Sequence, residues 1–314
     1  MKTLAILLAA STTLAAPYPS NQNSPLNFYV ALQSTGILSI SFDPAQDVNT
    51  SLSITGYTTN AGYHPDWLTS HNDKIYSISR TNYPGTTSGS GGLFALEEQS
   101  TPSLGTNNLT LLNSVSSHGL GGIHCDVSPD GTLLSAANID GSSVAVYPLS
   151  PAGIIGDASH VFKHNLTQPG PGTNESQIQA NPHQAIFDPS GNFLVVPDRG
   201  SDRVYIYSVN SHNNIIQTLN LTLPPGTGPR HATFRQVNAT RSWMYLVSEL
   251  DNTVRVYTLD HEDQSPNHSS KRTSWFQPPP ASTPTPILTP HQTISTLNHT
   301  DNTTRTPPKP RSRV

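Results

Sequence analysis

The sequence predicts an all-β protein, a β-propeller of four-stranded blades, and three observations carry that reading. One pattern of short strands, with a Pro/Asp/Gly-rich turn beside the same strand, recurs four times. Each repeat holds about four strands at a spacing of roughly 50 to 60 residues, which is the length of a blade. Only 11% of residues are charged, and Ser, Thr, Asn, Gly and Pro fill the gaps between apolar runs, as a chain with many turns requires. A β-sandwich also uses short strands, but it has no reason to repeat one turn beside one strand order.

In chain order, residues 1–16 read as a signal peptide and 17–26 as a short leader. Lys2 supplies the positive start, Leu4 to Leu14 the apolar stretch, and Ala15 and Ala16 the small residues for cleavage. The alternative is a buried N-terminal helix. No later stretch approaches the ~20 apolar residues that span a bilayer. The mature protein is therefore expected to be secreted and extracellular, with no membrane partner after signal cleavage. Nine Asn-X-Ser/Thr sequons, at Asn49, Asn108, Asn165, Asn174, Asn220, Asn238, Asn267, Asn298 and Asn302, predict N-linked glycans on surface turns. With one cysteine, Cys125, the chain forms no internal disulfide, so packing must hold it together. A net charge of −4 gives no electrostatic reason to expect nucleic acid as a partner.

The propeller itself is expected over 27–260. Phe28–Leu32, Ile37–Phe42 and Leu52–Tyr57 read as the second, third and fourth strands of a blade without its innermost strand. Four fuller repeats follow. Their innermost strands begin near Pro65, Ile123, His183 and Arg230, and two of their turns are Ser128-Pro129-Asp130-Gly131 and Asp188-Pro189-Ser190-Gly191. Residues 261–314 form a Pro/Thr/Ser-rich tail with one possible strand at Thr289–Leu297. The rest of the tail has too few apolar residues to offset the entropy of ordering it.

Several pieces occur in a characteristic order: Pro65-Asp66-Trp67-Leu68, Ser128-Pro129-Asp130-Gly131, Pro182-His183-Gln184, Pro197-Asp198-Arg199-Gly200-Ser201-Asp202, Gly228-Pro229-Arg230-His231 and Ser248-Glu249-Leu250. On these motifs the chain resembles the lactonase-type seven-bladed β-propeller family, which includes 6-phosphogluconolactonases and carboxy-cis,cis-muconate cyclases. It resembles the fungal secreted type, with about five of the expected seven blades and an apparent C-terminal truncation. Such an arc is expected to be open and to leave raw strand edges. The resemblance implies a site at one channel mouth, built from a histidine, arginines and a glutamate. His183 matches the histidine of Pro-His-Gln, Arg230 the arginine of Gly-Pro-Arg-His, and Glu249 the glutamate of Asn-Glu-Leu, where Ser248 replaces the Asn. The family's sixth-blade arginine has no counterpart. Ser176-Gln177 stands where an Arg-Gln pair is common, and Asn181 where a first histidine is common.

The repeat register points to the same place. His183 and Arg230 each follow a proline at the start of an innermost strand, so they hold equivalent positions in adjacent blades. Arg80, Asn138, Asp198 and Glu249 each lie four residues after Tyr76, Leu134, Leu194 and Tyr245, and are expected to ring the same mouth. The expected roles are catalytic for His183 and Glu249, and substrate-binding for Arg230, Asp198 and Asn138. Arginine forks suit a carboxylate or phosphate, and His183 or Glu249 can activate water. The bland alternatives are a solvated rim, a hydrogen-bonded structural histidine, and a Glu249 that merely partners Arg230. The functional expectation is a lactonase-like hydrolase, or a lactone-forming cyclase, acting on an anionic small-molecule lactone or related carboxylate. Its rival is a non-catalytic or degenerate extracellular propeller serving as a binding module. No cofactor and no metal are expected, because the thirteen histidines include no His-Glu-X-X-His. Ser88-Gly89-Ser90-Gly91-Gly92 reads as a blade loop, and Cys125 as a small buried hydrophobe.

Overall fold

The computed structural model of the protein describes residues 8–9, 25–33, 36–86, 89–101, 106–166, 168–171, 176–210 and 213–260. Among them are nineteen strands in five antiparallel sheets. The first sheet runs β1 (Leu8–Ala9), β2 (Leu26–Leu32), β3 (Gly36–Phe42), β4 (Leu52–Thr58). The second runs β5 (Tyr63–His71), β6 (Lys74–Thr81), β7 (Gly92–Thr101), β8 (Thr106–Ser116). The third runs β9 (Gly122–Val127), β10 (Leu133–Asn138), β11 (Ser143–Pro148), β12 (His160–Lys163). The fourth runs β13 (Ile186–Phe187), β14 (Phe193–Asp198), β15 (Arg203–Val209), β16 (Ile215–Thr222). The fifth has three described strands, β17 (Pro229–Asn238), β18 (Arg241–Ser248) and β19 (Thr253–Asp260). Each sheet is a meander, the connectivity of a propeller blade.

One strand was not anticipated. Leu8 and Ala9, inside the stretch read as a signal peptide, pair with Val30 and Tyr29 and take the innermost slot of the first blade. The edge of β2 offers unpaired N–H and C=O groups, and an apolar segment of the same chain is a ready partner for them. Residues 261–314, with the expected strand Thr289–Leu297, lie outside the described residues.

Packing follows from the two-residue period of a strand. In β14, Leu194 and Val196 join a cluster with the third blade, while Phe193 and Val195 join one with the fifth. Its whole run FLVVPD is buried, as a strand covered on both faces should be. Four such clusters tie the blades in chain order, first to second through Leu68 and Ile75, second to third through Ile78 and Cys125, and so on. Cys125 is fully buried, and burial holds its thiol well above its usual pKa. In β18, Met244 and Leu246 face the fourth blade, whereas Val247 is 41% exposed on the opposite face.

The turns read from sequence are present. Gly131 and Gly191, at φ 72° and 73°, donate back to Ser128 and Asp188 and close the two Pro-containing turns. Glycine is needed there because other residues resist the left-handed region. Three hairpins at the other end of the blades, after Asn138, Asp198 and Ser248, share four-residue loops. Each loop ends in a left-handed residue, Ser142, Asp202 or Asn252, at φ 48°, 53° and 54°. Asn49, Asn108, Asn165, Asn220 and Asn238, the described sequon asparagines, are all exposed.

Blades also join through polar groups. Asp126 Oδ2 accepts the Phe187 N–H of the next blade at 2.9 Å. Part of the residue reaches the surface, yet protein surrounds the carboxylate, and burial pushes its pKa from 3.8 up to about 7. A raised folded-state pKa means that stability is fullest below about pH 4 and is lost as pH rises toward 7. Asp126→Asn keeps an acceptor for Phe187 without the charge. Its melting temperature minus that of the wild type should therefore grow from pH 4 to pH 8. A difference that stays flat across that range in thermal melts would remove this role.

Candidate functional site

The site forms where the fourth and fifth blades meet, and two aspartates build it. Asp198 is fully buried, and its Oδ1 accepts the N–H groups of Asn181 (2.8 Å), Gly200 (3.0 Å) and Ser201 (3.0 Å). His164 Nδ1 lies 3.4 Å from the other oxygen. This clamp fixes both the Asn181-Pro182-His183 segment and the turn that carries Arg199. Gly200 is obligatory here, since a Cβ would stand 1.9 Å from the Gln179 carbonyl. Asp202 does the same for the next blade. It accepts from Gly226 (2.8 Å) and Gly228 (2.7 Å) and so places Pro229-Arg230.

Glu249 sits between two guanidinium groups, with Arg230 Nε at 2.9 Å from Oε2 and Arg199 at 3.1 Å from Oε1. Arg199, Arg230 and Glu249, with Val247, Ser248, Asn252, Thr253 and Val254, line a cleft of about 470 Å³. Two arginines against one carboxylate leave the cluster cationic. On the second blade Arg80 bonds Asp66 at 2.9 Å and Asp140 at 3.2 Å, so that cluster is anionic. Among the described residues, Arg199 and Arg230 give the cluster between the fourth and fifth blades a surplus positive charge, the property an anion site needs.

His183 does not line the cleft. It is buried, and burial, then Arg230, His231 and Arg199, hold its pKa well below 6.5. Its Nδ1 lies 3.1 Å from His231 Nε2. Burial and Arg230 lower His231 to about 4, and burial followed by His231 lowers His124. These rings are therefore neutral near pH 7, and the stability that depends on it is lost as pH falls below 6.5. Among the described residues no group of three or more His, Cys, Asp or Glu is placed to hold a metal ion.

The structure brings together Arg230 and Glu249, with His183 buried outside the cleft but within electrostatic reach of Arg230 and Arg199. It does not do so for Asn138 and Asp198, and their expected substrate-binding role is corrected. Both side chains are fully buried. Asn138 donates to the Ser117 carbonyl at 2.8 Å and to Ser143 Oγ at 3.2 Å, and Asp198 binds backbone as described. The expected ring was one residue out of register in the third and fourth blades. Hairpin pairs Ser79–Gly92, Asn138–Ser143, Asp198–Arg203 and Ser248–Thr253 mark the true equivalents. The next residues, Arg80, Ile139, Arg199 and Glu249, are the ones that share the turn position at the mouth. A one-residue shift moves a side chain to the other face. Arg199 and His231 were therefore missed, although both stood inside the quoted motifs. Counting back from each four-residue turn would have found Arg199.

These features define a β-propeller with a cationic, histidine-backed cleft near its axis. The chain belongs to the family described as lactonase, 7-bladed β-propeller, whose model matches residues 27–278. It is 28% identical over 237 residues to a "Probable 6-phosphogluconolactonase" of Arthroderma benhamiae, covering 74% of this chain and 55% of that protein. It is 27% identical over 184 residues to the 6-phosphogluconolactonase of Bacillus subtilis, covering 59% and 48%. The solved periplasmic gluconolactonase of Pseudomonas aeruginosa superposes with a TM-score of 0.61 at 25% identity, covering 77% of this chain and 66% of that one. The chain spans about half the length of the first two relatives.

Asp198→Ala tests the clamp. It should cost on the order of 3 kcal/mol of stability, because three buried backbone donors lose their acceptor. Denaturant melts that show less than about 1 kcal/mol would return Asp198 to the candidate ligands.

Proposed function

We propose that this protein is a secreted lactonase-type hydrolase that opens an anionic small-molecule lactone in the cleft between Arg199, Arg230 and Glu249. The observation that carries this reading is the surplus positive charge of that cluster on a cleft of about 470 Å³. The relatives named as gluconolactonases and phosphogluconolactonases support the reaction class. In this reading one guanidinium fork holds the substrate's anionic group and the other stabilises the oxyanion formed when water adds to the carbonyl. Glu249, which lines the cleft, takes the proton from water, and it returns to the ring oxygen as the C–O bond breaks, giving a hydroxy acid. A muconate-type cyclase would instead form its lactone by adding a carboxylate oxygen across a C=C bond, with a proton delivered to the neighbouring carbon. Secretion rests on the Lys2-to-Ala16 leader, whose cleavage would remove β1 and leave the inner slot of the first blade empty, and on the exposed sequons; it argues against a cytosolic sugar phosphate as the physiological substrate.

One observation favours a second reading. Glu249 is held by both arginines, so its carboxylate is partly satisfied within the protein. A binding module would then take up an anionic lactone without turning it over.

Gluconolactone, 6-phosphogluconolactone and a carboxylated γ-lactone, followed by pH-stat, separate the two readings. At least one anionic lactone should be hydrolysed above the spontaneous rate. Arg230→Ala should raise KM about tenfold or more, whereas Glu249→Gln should lower kcat by roughly 10²-fold. Binding by calorimetry with no hydrolysis of any of the three would establish the module. Expression through a eukaryotic secretory pathway should give a protein whose mass falls on N-glycanase treatment, and an unchanged mass would remove the glycoprotein assignment.

A further inference from the structure

The cleft that holds Arg199, Arg230 and Glu249 has a second surface of opposite character. Val247 and Val254 line it as well, and they are register partners across β18 and β19. Partners in an antiparallel pair stand side by side on one face, so the two valines make one continuous apolar wall. Val247 is 41% exposed, on the face away from Met244 and Leu246, which pack toward the fourth blade. Glu249, held by both arginines, follows Val247 by two residues, a rise of about 7 Å along a strand. The arginines and the wall are therefore within the span of one small molecule.

The polar side chains of the cleft are largely committed to the protein itself. Ser248 Oγ accepts from an Arg255 guanidinium nitrogen at 3.1 Å. Thr253 Oγ1 donates to Asp251 Oδ1 at 2.7 Å and accepts from the same Arg255. Arg255 in turn donates to Asp251 Oδ2 at 2.6 Å. Outside the charged trio, this leaves Asn252 as the lining side chain that can offer hydrogen bonds to a ligand.

We propose that the cleft selects an anionic ligand with an apolar alkyl or aryl substituent, with Arg199 and Arg230 taking the carboxylate and Val247 and Val254 taking the substituent. The inference rests on the proposed hydrolase reading for the lactone ring alone, since a binding module would present the same charge and the same wall. A polyhydroxylated sugar acid is poorly matched to this surface. Its hydroxyls would lie against the valines, where they give up water and meet no hydrogen-bonding partner. An alkyl group in that place removes apolar surface from water on both sides of the contact. The charge fixes the orientation, because the carboxylate meets guanidinium forks at one end of the cleft and only methyl groups at the other. A cleft of about 470 Å³ is within the range of sites that hold one small molecule. Val247 and Val254 are in this sense specificity-determining residues, although neither touches the reacting atoms.

The test uses the full chain and does not require turnover. Calorimetry with butanoate, hexanoate, octanoate and gluconate should give a dissociation constant that falls at least about twofold for each added methylene. Hexanoate should bind about tenfold or more tightly than gluconate, which has the same chain length and charge but carries hydroxyls. Replacing both valines, Val247→Thr with Val254→Thr, keeps the β-branched shape that suits the strands and should flatten the alkanoate series. Arg230→Ala should instead weaken all three alkanoates by a similar factor. A wild type that shows no dependence on chain length, or that binds gluconate as tightly as hexanoate, overturns the proposal. Alkanoate affinity that disappears as the protein dimerises at higher concentration also overturns it, by giving the wall to a second copy. If the series holds but no lactone is hydrolysed, the hydrolase reading falls and the selectivity stands. If lactones are hydrolysed and the series is flat, the selectivity falls and the hydrolase reading stands.

Discussion

One buried carboxylate sets the geometry on which the site depends. Asp198 Oδ1 draws in the N–H groups of Asn181, Gly200 and Ser201, which belong to two separate segments of the fourth blade. Those segments carry His183 and Arg199. Around this centre the backbone is also tied, with His183 N–H bonded to the Pro197 carbonyl and Arg199 N–H to that of Asn181. Charged hydrogen bonds to backbone amides are about twice as strong as neutral ones, so a single side chain can hold two strands' ends in fixed relation. Asp202 extends the device by one blade, through Gly226 and Gly228, to Arg230. The functional arginines can then project into a cleft without needing order of their own.

A propeller gains stability chiefly between blades, and that separates the molecule's faces into two kinds. Where a neighbour is present, both faces of a sheet are apolar and buried, as in β10 and β14. Where the described residues provide none, apolar side chains stay exposed: Leu52, Ile54 and Tyr57 on the first blade, and Val237 and Val247 on the fifth. Val247 and Val254 form the apolar wall of the cationic cleft. The site therefore sits at the boundary between a fully packed blade and a half-covered one.

Near the axis the same strand positions repeat with different chemistry. Asp66, Ile123, His183 and Arg230 are equivalent, and so are Trp67, His124, Gln184 and His231. In the second blade, acids around Arg80 cancel its charge. In the third, the isoleucines Ile123 and Ile139 make an apolar step. The fourth and fifth concentrate the arginines and coupled histidines. A symmetric scaffold thus gives a polarised mouth, cationic on one side and anionic on the other, by substitution at fixed positions.

The sequence by itself determined the blade architecture, because turn chemistry and strand alternation are local. Ser128-Pro129-Asp130-Gly131 and Asp188-Pro189-Ser190-Gly191 fix their turns through glycine φ and proline ring geometry, whatever packs against them. The equivalence of His183 and Arg230 was legible for the same reason, each following a proline at a strand start. Tertiary structure decided which polar residues face the cleft and which face inward. Asn138 and Asp198 look like site residues in sequence, but lie one position before the turn, where the side chain enters the scaffold and finds backbone partners. Arg199, one residue later, is the group that reaches Glu249. The pairing of His183 with His231 was equally hidden, since it joins adjacent blades across 48 residues of chain. Burial and hydrogen-bond partners of this kind are set by register between strands, and only the assembled sheets fix that register to within one residue.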